Sequence, residues 1–325
     1  MIPKKVILDC DPGSDDAIAM MLAMKSDAID LIGVTTVNGN RIVPKTTENA
    51  LRVVQFMKSS VPVYRGCEEP IICNEIPGRK PGLPRVTLND CHGDFLPLPE
   101  AEIRTEKEHA VFYLVKKLME SEGDIYVAAV GPLTNLAMAL RIEPKIAGKI
   151  KQLVIMGGGH CGANASPAAE FNFYADPEAA KIVMDSAIPK VILPLDATWR
   201  ACLSEEKCKE LAQLGTPEAK VAAALVQKRI DNLKVNDVSE HNYALRHQAG
   251  TVAGAMLYRY DNHMAPIHDA LAIAYLINEN VVTELADANV DIDIAGGLCD
   301  GRMVADFHNT KKCKAPVTAK VALNS

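Results

Sequence analysis

Four aspartates fall within eight positions of the segment "VILDCDPGSDDAIAM": Asp9, Asp11, Asp15 and Asp16, directly after an apolar run. Carboxylates this close repel one another and resist dehydration, at a cost of several kcal/mol when unpaired. A strand over "KKVILDCD" points Asp9 and Asp11 the same way at its carboxyl end. "Pro-Gly" then turns the chain, and Asp15 and Asp16 enter the first turn of a helix. The helix dipole offers such carboxylates roughly 0.3–1 kcal/mol each, enough to account for one cap but not for the set. A hard divalent cation, which takes oxygen ligands, removes the repulsion, and strand carboxyl ends are where open α/β sheets bind ligands.

Two other acidic patterns fit poorly. An EF-hand loop begun at Asp9 would need an acid or amide where Gly13 stands and Glu where Met20 stands. A haloacid-dehalogenase-type phosphatase would carry Thr or Val in place of Gly13, and the adjacent Asp15–Asp16 pair is foreign to it. That metal-dependent phosphatase stays as an alternative, as does a nucleoside- or sugar-binding protein without turnover.

The elements that position these acids alternate from the start. Apolar strands in "KKVILDCD", "IDLIGVTTV", "DIYVAAV", "KQLVIM" and "KVILPLD" are interleaved with helical "DDAIAMMLAMKS", "TTENALRVVQFMKS", "PLTNLAMALR" and "DPEAAKIVMDS". The pattern predicts an α/β fold: one domain over residues 1–325 with a mostly parallel, doubly wound, Rossmann-like open sheet. Helices follow over 204–235 and in "HDALAIAYLIN". "VDIDIAGG", "GRMVADF" and "APVTAKVAL" read as late antiparallel strands. The Pro- and Gly-rich stretch 76–100 reads as a long polar loop or lid. Gly157, Gly159 and Gly162 match GxGxxG, but Pro167 intervenes and no helix follows, so close packing at a strand end explains them better than a dinucleotide.

The chain has 325 residues, 48% of them hydrophobic, with a formal net charge of −6 and no long basic run, which argues against nucleic acid or an anionic membrane as partner. Nine cysteines without a CxxC pair, after an N-terminus lacking a secretory apolar region, predict reduced, mostly packed thiols in a cytoplasmic protein.

"DCDPGSDDAIA" closely resembles the N-terminal signature of the nucleoside hydrolases of the inosine–uridine type. "TTVNGN" (35–40), "CHGD" (91–94), "VGPLTNLA" (130–137), "VIMGGG" (154–159), "NASPAAEFNFYADPEAA" (164–180) and "PIHDALAIAYLI" (266–277) match in the same order. The resemblance implies hydrolysis of the N-glycosidic bond of ribonucleosides to ribose and free base, a step of nucleobase salvage. It implies Ca²⁺ held by Asp11, Asp16, the carbonyl of Val130 and Asp269, with Asp11 also the base that activates the attacking water. Asp15, Asn40, Asn164, Glu170 and Asn172 become ribose contacts, His92 a base contact from a loop, and His268 the leaving-group acid. A homodimer or homotetramer is expected.

The match departs from the family at three places. "HGD" and Phe95 replace the more usual "HGE" and glycine, Trp199 stands where histidine or a polar residue is common, and the chain stops at "KVALNS" where the family continues into a helix. Trp199, Tyr258 and Tyr260 are further candidates for stacking on a base, with core packing the commoner role of a lone aromatic.

Overall fold

The computed structural model describes residues 2–72, 75–76, 92–236, 263–308 and 318–325. Strand β1 (Lys4–Cys10) leads into helix α1 (Ser14–Lys25), and β2 (Ile29–Thr36) into α2 (Val43–Phe56). After β3 (Val63–Arg65) come α3 (Ala110–Met119), β4 (Ile125–Ala129), α4 (Thr134–Ile142) and β5 (Ile150–Met156). The short α5 (Phe171–Ala175) and α6 (Pro177–Met184) precede β6 (Lys190–Leu193) and α7 (Leu195–Thr198). A two-stranded ribbon of β7 (Cys202–Ser204) and β8 (Met264–Pro266) brackets α8 (Glu205–Gln213) and α9 (Pro217–Asn236). Helix α10 (His268–Ile277) and strands β9 (Glu284–Ile292), β10 (Met303–Asp306) and β11 (Ala319–Asn324) complete the described chain.

Nine strands form one sheet in the order β10-β9-β11-β6-β5-β4-β1-β2-β3. All pairs from β3 to β11 are parallel, while β9 pairs antiparallel with both β11 and β10. The mostly parallel sheet with late antiparallel strands is therefore the one the alternating runs predict. The order reverses direction between β1 and β4, so a crevice opens at their carboxyl ends, the usual ligand position in such sheets. β1 is central because its last five residues are buried on both faces, and an apolar run without alternation is what two covered faces require.

The two faces carry separate cores. Met20 of α1, Leu51 of α2 and Ile273 of α10 pack on one; Leu114 of α3, Leu136 of α4 and Val183 of α6 pack on the other. Three elements differ from the sequence expectation. β3, α3 and the β7–β8 ribbon were not foreseen, because β3, β7 and β8 are too short for a periodic signal and α3 stands apart from the strand–helix rhythm. β9 also starts at Glu284, ahead of the expected Val290, because its first four residues, Glu-Leu-Ala-Asp, are not fully buried and carry no regular apolar alternation.

The GxGxxG glycines serve close packing, as expected. An added Cβ on Gly157 would lie 2.6 Å from the Phe173 ring, and one on Gly159 would lie 1.9 Å from the Gly162 carbonyl oxygen. Of the cysteines described, all are free thiols; Cys10 and Cys208 are buried and Cys161 is exposed, so packing is less general than expected. Among the described residues no helix is long and apolar enough to cross a membrane.

Candidate active site

The turn after β1 delivers Asp11, and the first turn of α1 delivers Asp15 and Asp16, all buried. Asp269, from the first turn of α10, is buried beside them; ligand atoms of Asp15, Asp16 and Asp269 all lie within 4.8 Å of one another. Asp16 folds back on the turn: its Oδ2 accepts the Gly13 N–H at 2.9 Å and its Oδ1 the Asp11 N–H at 3.2 Å. This ties Asp11 to the cluster through the backbone, which the spacing of the turn allows and a longer loop would not.

Asp11 itself is boxed. Its Oδ2 accepts the Asn40 N–H at 2.5 Å, and its carbonyl accepts Asn40 Nδ2 at 3.2 Å. A Cβ on Gly39 would lie 1.9 Å from Asp11 Oδ2, and one on Gly131 would lie 2.6 Å from Oδ1. Two glycines from different loops thus make room for one carboxylate. Sequence reading did not single out either, though both sit inside matched motifs.

Asp9 and Asp11 do not share an environment, contrary to the alternation argument. Asp9 is still in the ladder, opposite Thr35, and its Oδ1 accepts Thr35 Oγ1 at 2.6 Å and Asn135 Nδ2 at 2.8 Å. Asp11 lies beyond the strand end at Cys10, where the pleat no longer sets side-chain direction.

The acids respond differently to burial. Burial, then the Asp16 charge, pushes Asp11 well above the ordinary carboxyl value. Burial, then Asp15, raises Asp16 to about 6, and burial, then Asp15 and its neighbours, raises Asp269 further. Burial also pushes Asp15 upward, but the Arg229 guanidinium, with His92 and His268, outweighs it and holds Asp15 below the ordinary value. Arg229, on α9, places Nη1 2.7 Å from Asp15 Oδ1. The sequence reading missed it. Its signal was a charge on the apolar stripe of α9, between buried Val226 and Ile230.

Around this floor, Asn172 of α5 donates Nδ2 to the Val130 carbonyl at 2.9 Å and to the Met156 carbonyl at 3.1 Å, joining the ends of β4 and β5. Glu170 caps α5, its Oε1 accepting the Asn172 N–H at 2.9 Å and its Oε2 the Gly158 N–H at 2.8 Å; burial raises it to about 7. Asn40 reaches Asp16 Oδ2 through Nδ2 at 3.3 Å. Asn164 is the outlier: it is exposed, and its Oδ1 accepts the Phe171 N–H at 2.9 Å.

Two histidines face the same helix start. His92 Nδ1 accepts the Ser14 N–H at 3.0 Å and lies 3.9 Å from Asp15 Oδ1, so its Nε2 carries the ring proton. His268 is buried with Nδ1 2.8 Å from Thr198 Oγ1, and burial lowers it to about 4. Trp199, the next residue along, is half-buried with its ring against Gly162, while its buried Nε1 has no hydrogen-bond partner among the described residues. Tyr258, Tyr260 and most of the loop over 76–100 lie outside the described residues.

A cavity of about 730 Å³ lies elsewhere, lined by Lys190 at the start of β6, Asn289 and Lys320. It is at the opposite end of the strands from the acids, and it contains none of the residues above.

The profile described as "Inosine-uridine preferring nucleoside hydrolase" matches residues 6–325. The chain belongs to the inosine-uridine preferring nucleoside hydrolase family. It is 37% identical over 313 residues to the pyrimidine-specific ribonucleoside hydrolase RihB of Escherichia coli O9:H4 (strain HS), covering 94% of this chain and 88% of that protein. The solved plant nucleoside hydrolase PpNRh1 superposes with a TM-score of 0.82 at 26% identity, over 98% of this chain and 94% of that one. The purine-preferring ribonucleoside hydrolase from Gardnerella vaginalis gives 0.79 at 26% identity, over 98% and 93%. This nucleoside hydrolase is therefore an enzyme that releases nucleobases from ribonucleosides, and its buried acids sit at the sheet's switch point.

Proposed function

We propose that this chain, one nucleoside hydrolase domain over residues 1–325, hydrolyses ribonucleosides to ribose and free base with Ca²⁺ held by Asp11, Asp16, Asp269 and the Val130 carbonyl. The observation that carries the reading is the burial of Asp11, Asp15, Asp16 and Asp269 together at the ends of β1 and α10's first turn. Their donor set is all oxygen, the set a hard dication takes. Burial and mutual repulsion raise Asp11, Asp16 and Asp269, and a cation would relieve that repulsion. The Val130 carbonyl keeps a lone pair beyond the one Asn172 uses. When bound, calcium supplies fixed positive charge that favours ionised oxygen and seats vicinal hydroxyls.

Asp11 is the base. With a cation relieving the repulsion among the buried acids, Asp11 is ionised and its carboxylate can take a proton from the attacking water. Asn40, boxed against it, fixes its direction. Cleavage passes through an oxocarbenium-like sugar, and the negative charge of the four aspartates stabilises that positive charge. Asp15, Asn40, Glu170, Asn172 and Asn164 hold the pentose. Asn164 must turn from its loop bond with Phe171 to do so.

His268 serves the leaving base as a neutral ring. Burial keeps it unprotonated near neutral pH; in the tautomer whose Nδ1 accepts from the Thr198 hydroxyl, 2.8 Å away, Nε2–H is free to donate to the base. His92 presents Nε2–H from the other flank. Nucleobase salvage in the cytoplasm, as a homodimer or homotetramer, completes the reading.

The test incubates the protein with uridine, cytidine, inosine, guanosine and adenosine and follows ribose release with and without chelator. The RihB relatives put the pyrimidine ribonucleosides first in that series. Ribose release that calcium restores after chelation is expected; release indifferent to chelator would exclude the cation from the reaction.

A further inference from the structure

Asp15 has two competing claims on it. Its carboxylate lies within ligand reach of Asp16 and Asp269, as a fourth cation ligand would. It also bears the Arg229 guanidinium, with Nη1 2.7 Å from Oδ1 and 3.2 Å from Ser14 Oγ, and only 9% of the Arg229 side chain and 6% of Asp15's exposed. Arginine stays charged at any working pH, so this oxygen is committed to a permanent cation. A dication on the same oxygen would face a positive group at hydrogen-bond distance, in a site where burial leaves little solvent to screen the repulsion. Among the described residues, Asp11, Asp16 and Asp269 make no ion pair with a cationic side chain.

We propose that Arg229 is a positioning residue that keeps Asp15 off the cation and presents its remaining oxygen to the ribose. It thereby restricts the cation's carboxylate ligands to Asp11, Asp16 and Asp269. The inference rests on the reading of the site as a calcium-dependent ribonucleoside hydrolase. His92 braces the same turn from the other side through the Ser14 N–H, so the start of α1 is held between α9 and the loop at 92. Four carboxylates against one dication and one guanidinium leave a single net negative charge, which keeps the site favourable to a cationic transition state.

The experiment measures Ca²⁺ binding to the chelator-treated full-length protein by isothermal titration calorimetry, beside steady-state ribose release. It compares the wild type with Arg229→Gln and with Arg229→Gln combined with Asp15→Asn. In Arg229→Gln the released Asp15 joins the ligand set, so calcium binds about tenfold tighter while KM rises about tenfold and kcat changes less. A residue that merely supported the fold would not tighten calcium binding. The double variant, which removes both members of the Arg229–Asp15 pair, returns calcium affinity to within about threefold of wild type.

The inference is overturned if Arg229→Gln binds calcium no more tightly than wild type, or if the double variant binds more than about threefold weaker, since Asp15 is then a ligand. Should Arg229→Gln not fold, the double variant decides alone by that same measure. A wild type that neither binds calcium nor releases ribose defeats the underlying reading instead, and the inference with it.

Discussion

The Nδ1 atom of His268 lies 2.8 Å from the hydroxyl of Thr198, inside a site where burial lowers the ring to about 4 from its ordinary 6.5. The unfolded chain therefore takes up a proton at higher pH than the folded one. The contribution of a neutral His268 to stability is complete above about pH 6.5 and lost as pH falls toward 4, about 3 kcal/mol in all. Urea unfolding at about pH 7.5 and about pH 5 should show some 2 kcal/mol of this loss, roughly the difference between wild type and His268→Gln. Equal pH slopes for the two proteins would mean that the ring is not held neutral.

The raised carboxylates, unlike Asp15, have the opposite sign. Asp16 is raised to about 6 by burial and by Asp15, so its contribution is present below the ordinary value of 3.8 and lost as pH rises through 6. Chelator-treated protein should thus lose Tm relative to a chelator-treated Asp16→Asn variant as pH rises over that range. Calcium in about hundredfold excess over its Kd should then raise Tm by about 4 °C near pH 7, and by less near pH 4.5. Magnesium should do less at the same concentration, since it sheds its water reluctantly. Differential scanning calorimetry at matched ionic strength reads all three.

Gly39 is the simplest probe of the base. Its missing side chain leaves room for Asp11 Oδ2, which an added Cβ would meet at 1.9 Å. Gly39→Ala should displace the carboxylate by about an ångström and lower kcat/KM about hundredfold, with circular dichroism unchanged. Activity within about twofold of wild type would show that Asp11 works from another position.

Sugar selectivity follows from the buried acceptors. A ribose 2′-hydroxyl is expected to meet Asp15 and the cation's ligands, and a deoxy sugar leaves those buried groups without a partner. The ratio of kcat/KM for a ribonucleoside over its 2′-deoxy analogue should be about ten-thousandfold. Near-equal turnover of the two sugars would remove the pentose from its assigned seat.

Much of the frame is legible in the chain. Strands β1, β2, β4, β5 and β6 announce themselves as apolar runs because both faces of the sheet are covered, and α1 and α10 carry their acids in the first turn, where caps are read from spacing. The distant partnership of Asp269 with Asp16 is not a property of either local segment; only the motif resemblance supplied it, and the contact of α1 with α10 explains it. Arg229 was illegible for a different reason. Its role depends on which way α9 turns its stripe, and a charged residue on a helix ordinarily faces water. The expectation that Asp9 and Asp11 point the same way does not hold, because strand alternation ends at the last ladder residue, Cys10.

The two sides of the pocket have different ancestry in the chain. Asp11, Val130 and the Gly157–Gly159 turn hang from adjacent strand ends of one rigid sheet, whereas His92 and Arg229 arrive on a loop and a helix outside it. Exchanging the segment that carries His92 between relatives, one pyrimidine-specific and another purine-preferring, offers a route to transplanting base choice while the strand-borne acids and the Arg229–Asp15 pair stay in place.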